Sequence, residues 1–267
     1  MIDKNEMNPN TLTSLLSGII SGGINVIDLT MTLDRKVPTI VLPPELGQSW
    51  PFRMEEISRY DAKGPATYWN NFSCGEHTGT HFDAPIHWIS GKDLPNNATD
   101  TISPEMFIAH ACVIDCCSET EKNSDYLLTI KDVELWEKEN GKIPPRSWLL
   151  MRTDWSLKKD PTEYLNLDDE GAHTPGPHQD LIPWLVSQRD VVGFGSEAVG
   201  TDAGQAAHFT VPMPCHHIMH GEGRFGLPAL TNLDKLPPQG SVLITPPLKI
   251  RQGSGSPVRV LALTEKG

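Results

Sequence analysis

The sequence predicts one α/β domain. Three observations carry this. Its apolar runs, such as Ser147 to Met151 and Val258 to Leu263, are strand-sized. Helix-period segments lie between such runs without strict alternation. No internal repeat, low-complexity tract or linker divides the 267 residues. Hydrophobic residues make up 38%, and 22 glycines bring the total near the usual globular share, so a sizeable core is available.

Residues 1–23 read as a helical N-terminal arm. Leu12, Leu15, Leu16, Ile19 and Ile20 fall at helical spacing, and Gly22-Gly23 ends the run. Ile24 to Leu33 reads as a strand, and the proline-rich stretch from Pro38 to Pro51 as a surface loop. Thr67 to Cys74, Ala111 to Cys116 and Arg146 to Thr153 are expected strands. Thr129 is placed to cap a helix over Lys131 to Glu139, with Gly141 as its stop. After a polar, turn-rich segment from Asp154 to Pro177, His178 to Arg189 reads as a helix despite Pro183. Asp190 to Gly195, Ser241 to Ile244 and Val258 to Thr264 are the remaining expected strands. Gly253-Ser254-Gly255-Ser256-Pro257 reads as a turn; it lacks the lysine and following helix of a phosphate loop.

Charge and cysteine content narrow the function classes. A formal charge of -12 argues against a nucleic-acid partner. No apolar run is long enough to span a bilayer. Met1 to Asn10 carries neither the basic nor the apolar region of a secretory signal. The five cysteines are odd in number and irregularly spaced, which fits reduced thiols, packed as small hydrophobes, in a cytoplasmic protein.

The chemistry concentrates in Cys74-Gly75-Glu76-His77-Thr78-Gly79-Thr80-His81-Phe82-Asp83-Ala84-Pro85-Ile86-His87-Trp88. In a straight strand His77 and His81 would stand roughly 13 Å apart, at about 3.3 Å per residue. Ligands of one ion must converge on bonds of about 2.0–2.2 Å. Thr78-Gly79-Thr80 and Pro85 oppose a helix. A curled loop bent at Gly79 is therefore expected, bringing His77, His81 and Asp83 together. Two imidazoles and a carboxylate suit zinc, manganese or iron(II), and leave positions open for water and substrate. His87, beyond the proline, is a candidate base, and Glu76, just before the first ligand, either supports that ligand from behind or is simply exposed, the second reading being preferred. A second cluster, Cys215-His216-His217-Ile218-Met219-His220, is expected to supply one histidine from the other side; spacing does not choose which.

His77-Thr78-Gly79-Thr80-His81-Phe82-Asp83-Ala84-Pro85-Ile86-His87 resembles the HxGTHxDxPxH motif of the cyclase-like metal-dependent hydrolases. The resemblance continues through Val26 to Thr30, Leu230 to Pro237, Pro247 to Ile250 and Gly253 to Pro257, so it spans nearly the whole chain. It implies a swivelling β/β/α domain with a mixed sheet, in dimers or tetramers, with metal ligands at His77, His81 and Asp83. It places the family's late histidine on His216, and makes His87 a second-site ligand or a proton-transfer residue. Two-metal formamidases of the family carry a glutamate where this chain has Pro228, which cannot bind a metal. One divalent ion, Mn2+ or Zn2+, is therefore expected. The length and Trp88 point to the branch that opens the cyclic amide of isatin, with formylkynurenine hydrolysis as the alternative.

The expected reaction is attack of a metal-activated water on a small aromatic amide, with His87 or His216 moving the proton and Trp88 and Trp69 lining the pocket. A rival from another class is a non-haem iron oxygenase, since His81, Asp83 and a distant His216 imitate its ligand triad. The additional ligand candidate His77 argues against it. A metal-binding module without catalysis would leave His87 and the second histidine cluster unexplained.

Overall fold

A computed structural model describes residues 10–266. Of the expected N-terminal arm, residues 1–9 lie outside the described residues, and helix α1 (Thr11–Ser21) forms the rest. Gly22 ends α1 in the left-handed region at φ 75°, with its N–H on the Gly18 and Ile19 carbonyls.

Among the described residues the main sheet has nine strands. In chain order they are β1 (Ile24–Asp28), β4 (His81–Asp83), β5 (Ile108–Asp115), β6 (Trp148–Arg152), β7 (Gly193–Ser196), β8 (Phe225–Leu227), β9 (Ser241–Ile244), β10 (Gly255–Pro257) and β11 (Leu261–Glu265). The numbers β2 (Arg53–Asp61) and β3 (Gly64–Ser73) belong to a separate antiparallel hairpin. Across the main sheet the order is β1-β11-β9-β5-β6-β7-β8-β4-β10. Strands β5 to β8 are parallel in the middle, and antiparallel strands flank them on both sides, so the sheet is mixed.

The central strand β6 explains why both faces are covered. Trp148 and Leu150 join one apolar cluster, with Phe82, Phe225 and Leu243. Leu149 and Met151 join another, with Leu181, Leu185 and Phe194. Alternation along a pleated strand sends neighbours to opposite faces, so a continuous apolar run needs cover on each. Helix α2 (Ile130–Asn140) supplies part of that cover through Val133. It starts where expected: Thr129 and Asp132 form a reciprocal capping box, and Gly141 stops it at φ 88°.

Three expectations need correction. Gly255 to Pro257 is not a turn but an edge strand, paired antiparallel with His81–Asp83. The His178 to Arg189 helix begins at Leu181, becomes a π-helix over Leu185–Arg189, and carries Pro183 in its first turn, where no N–H partner is lost. The motif itself is a loop only up to Thr80; β4 follows over His81–Asp83, and a 3-10 turn over Pro85–His87.

Candidate metal centre

The motif is built from a bend followed by a strand. Gly79, at φ 62°, turns the chain; a Cβ there would meet the Leu33 side chain at 2.7 Å. In β4, His81 and Asp83 then share a face, and Phe82 between them enters the core fully buried. Gly226 of β8 lies opposite Asp83 and leaves room for its carboxylate, since a Cβ there would sit 2.5 Å from Oδ2. Pro85–His87 form a 3-10 turn that brings His87 back over the loop.

The result is convergence. His77 Nδ1 lies 2.8 Å, and His81 Nε2 3.2 Å, from Oδ1 of Asp83. The His87 ring stacks on that of His77 with centroids 3.9 Å apart. From the other side, the turn over Cys215–Met219 places His216 and His220, one helical turn apart, with ring centroids 5.4 Å from each other. His217 points to solvent. Ligand atoms of His77, Asp83 and His87 lie within 4.8 Å of one another, as do those of Asp83, His216 and His220. Asp83 is shared by both sets.

Proton placement tests whether a cation fits. His81 Nδ1 is 2.7 Å from the Gly79 carbonyl, which can only accept, so the neutral ring carries its proton there. Its Nε2 lone pair then faces the Asp83 carboxylate, acceptor against acceptor. His220 repeats the pattern: Nδ1 donates to the Arg224 carbonyl, and the buried Nε2 has no partner. Asp83 is fully buried, which opposes ionisation; His81 and His77 hold it well below the usual carboxylate range only as charged rings, and with neutral rings a cation would take that part. A buried carboxylate facing imidazole lone pairs, each oriented by a backbone carbonyl, fits a divalent cation.

The outer histidines differ electrostatically. Burial pushes the His87 imidazole down to about 2, and His77 and His216 add to the effect. Burial also acts against a charged His216, but Asp202 overrides it and raises that ring above its usual value. His220 is held down to about 4, by burial first and His216 second. The Trp88 ring lies 4.9 Å from that of His216. Trp69 stands elsewhere, in β3 of the hairpin and 57% exposed, with none of the ring contacts that tie Trp88 to the cluster.

One participant escaped sequence reasoning, and for another the less favoured of two readings holds. Asp202, nearly buried, sits 14 positions before His216 with no motif around it. Glu76 is not a free exposed carboxylate: it is half-buried and accepts from the Ser254 hydroxyl at 2.6 Å.

A mixed-sheet α/β fold with a histidine–aspartate cation pocket at its edge defines a metal-dependent hydrolase of the cyclase type. The Cyclase family model ("Putative cyclase") matches residues 27–203, and the chain belongs to that family. Among its relatives, isatin hydrolase of Roseibium aggregatum is 45% identical over 259 residues, covering 96% of this chain and 98% of that protein. Isatin hydrolase A from Ralstonia solanacearum superposes with TM-score 0.96 at 53% identity, covering 97% of this chain and 99% of that one. An isatin hydrolase bound to the product analogue thioisatinate gives TM-score 0.95 at 44% identity, over 97% of this chain and 100% of that one. Kynurenine formamidase of Salinibacter ruber is a distant relative, 27% identical over 187 residues, 69% of this chain and 74% of that protein.

Proposed function

We propose that the chain is a metal-dependent hydrolase that opens the cyclic amide of a small aromatic substrate such as isatin. The observation that carries this is the facing of the His77 and His81 rings onto the buried Asp83, with His216 and its Asp202 across the pocket. The likeness to isatin hydrolases along nearly the whole chain supports the substrate class. His77, His81 and Asp83 would hold a single divalent ion, Mn2+ or Zn2+, which would supply Lewis acidity at the carbonyl and acidity to the attacking water.

The protein groups then divide the work. His216 Nδ1 donates to Asp202, so Nε2 is free to take the proton of the attacking water and return it to the departing ring nitrogen. His87, too weak a base for that step, stays uncharged and can hydrogen-bond the reacting oxygen. Trp88 walls the aromatic side of the pocket beside His216. Because the bond broken lies within the ring, a single product results, an aryl amine that carries the new carboxylate on its side chain.

Assembly and location complete the reading. No residue of α1 is buried, and Leu12, Leu16 and Ile20 are exposed. The hairpin exposes Met54, Tyr60, Tyr68, Trp69 and Phe72. A lone hairpin is marginally stable, and apolar patches of this kind mark contact surfaces, so a homodimer or tetramer is the assembly. Trp69 reaches substrate only if that assembly carries it to a pocket. Five unpaired cysteines support a cytoplasmic location, and no helix among the described residues is long and apolar enough to cross a membrane.

The test is to assay metal-reconstituted protein on isatin and N-formylkynurenine side by side, with an oxygen electrode. Isatin opening without oxygen uptake is expected. Turnover of the formyl compound alone would replace this reading with an arylformamidase. Oxygen consumption would replace it with an oxygenase.

A further inference from the structure

His77 differs from the other inward histidines in what holds its outer nitrogen. His81 and His220 lean on backbone carbonyls, which fix the proton without ambiguity. His77 Nε2 instead lies 2.9 Å from the Ser254 hydroxyl, which can donate or accept. The ambiguity is resolved one step further out. Ser254 Oγ lies 2.6 Å from Glu76 Oε2, and its backbone N–H also donates to that oxygen, at 3.4 Å.

The hydroxyl has one proton and faces two acceptor candidates. Given to Glu76, it leaves the Ser254 oxygen as acceptor for an N–H on His77 Nε2. The His77 lone pair is then on Nδ1, 2.8 Å from Asp83 Oδ1. Without a cation between them, those two atoms repel as acceptors; with one, every contact in the chain is satisfied. The ring cannot swing out of this arrangement. A Cβ on Gly255 would lie 2.7 Å from His77 Cε1 and 2.4 Å from the Phe82 carbonyl, so strand β10 presses directly on the imidazole edge.

We propose that Glu76 and Ser254 form a two-step hydrogen-bond chain that holds the His77 proton on Nε2 and presents Nδ1 to the divalent cation. Both are positioning residues: neither touches the cation or substrate. The inference rests on the metal-centre reading above and adds to it a role for two residues outside the motif's ligand set. Outer partners of metal-bound histidines typically change affinity 10–100-fold when removed.

The experiment titrates Mn2+ into metal-free full-length parent, S254A, E76A and E76Q by calorimetry, with circular dichroism to confirm the fold. It then records the His77 Nε2–H proton by NMR in the zinc-loaded proteins. S254A and E76A are expected to bind Mn2+ about 10–100-fold more weakly and to lose the slowly exchanging proton. E76Q keeps an oxygen acceptor for Ser254, so it should retain both the proton and most of the affinity. Folded S254A and E76A with parental affinity, or a parent without a protected Nε2–H, would overturn the chain. Loss in E76Q equal to that in E76A would also overturn it, because charge and not proton placement would then be the cause. A parent that binds neither Mn2+ nor Zn2+ would overturn the metal-centre reading and the chain together.

Discussion

Asp202 Oδ2 and His216 Nδ1 are 2.6 Å apart, and the same carboxylate accepts from the backbone N–H groups of Cys215 and His216. One aspartate therefore anchors both the turn and the ring that the turn carries. Replacing it by asparagine keeps the shape but removes the charge that raises His216. Asp202→Asn is expected to lower kcat by about 10²-fold, and His216→Ala by about 10²–10⁴-fold, with Mn2+ affinity less affected. Steady-state kinetics beside a metal titration check this. Parental kcat in either variant would remove His216 as the base.

Gly226→Ala tests the pocket without deleting a ligand. The added methyl meets Asp83 Oδ2 at 2.5 Å and must push the carboxylate aside. A displacement of this order costs about 10²-fold in kcat, and metal affinity should fall with it. A crystal structure of the variant would show the carboxylate moved.

Chelation should abolish hydrolysis, and Mn2+ or Zn2+ should restore it. Thermal unfolding should shift upward on reloading, since the cation binds the folded state and relieves the lone-pair repulsion around Asp83. A chelated protein with unchanged melting temperature and rate would contradict the metal reading.

How much of this was legible beforehand follows the range of the interactions. The Gly79 bend and the pairing of His77, His81 and Asp83 could be reasoned from spacing, because the deciding forces are local. Strand β4 could not, because three residues form a strand only through partners at Gly226 and at Gly255 to Pro257. For the same reason Gly253 to Pro257 looked like a turn: its glycine, serine and proline content is turn-like, and its pairing partner is remote. Thr129 and Gly141 bound helix α2 as expected, since caps are written within a few residues. Glu76 could be placed behind His77 from its position, but its partner Ser254 and the remote Asp202 carry no local signature.

His173 gives a pH-dependent stability term away from the site. It bridges Asp125 at 2.8 Å and Asp168 at 3.2 Å, and the hydrogen bond to Asp125 chiefly raises it above its usual 6.5. A raised folded-state value means the contribution is complete below the unfolded value and is lost as pH rises through the folded one. The parent should lose melting temperature as pH rises above 6.5, and His173→Gln should lose less over the same range. Differential scanning calorimetry across the range decides it.

Arg189 and Glu137 form a nearly buried pair, with nitrogen–oxygen distances of 2.6 and 2.8 Å. Arg189→Ala strands the carboxylate with only the Ile143 N–H and the distant Lys142 amine. A loss of about 3 kcal/mol is expected from the denaturant midpoint, the lower end for breaking a buried pair. A midpoint within error of the parent would show that Lys142 substitutes fully.

The contact between His77 and Ser254 joins positions 177 residues apart. During synthesis the three inner ligands emerge long before the strand that braces them. A partly made chain can thus display the motif without the wall that orients it, and would hold a cation only loosely. At the proposed metal site, tight loading would wait until the sheet edge closes, which would tie metal acquisition to completed folding and spare the nascent chain from trapping an ion in a misfolded form.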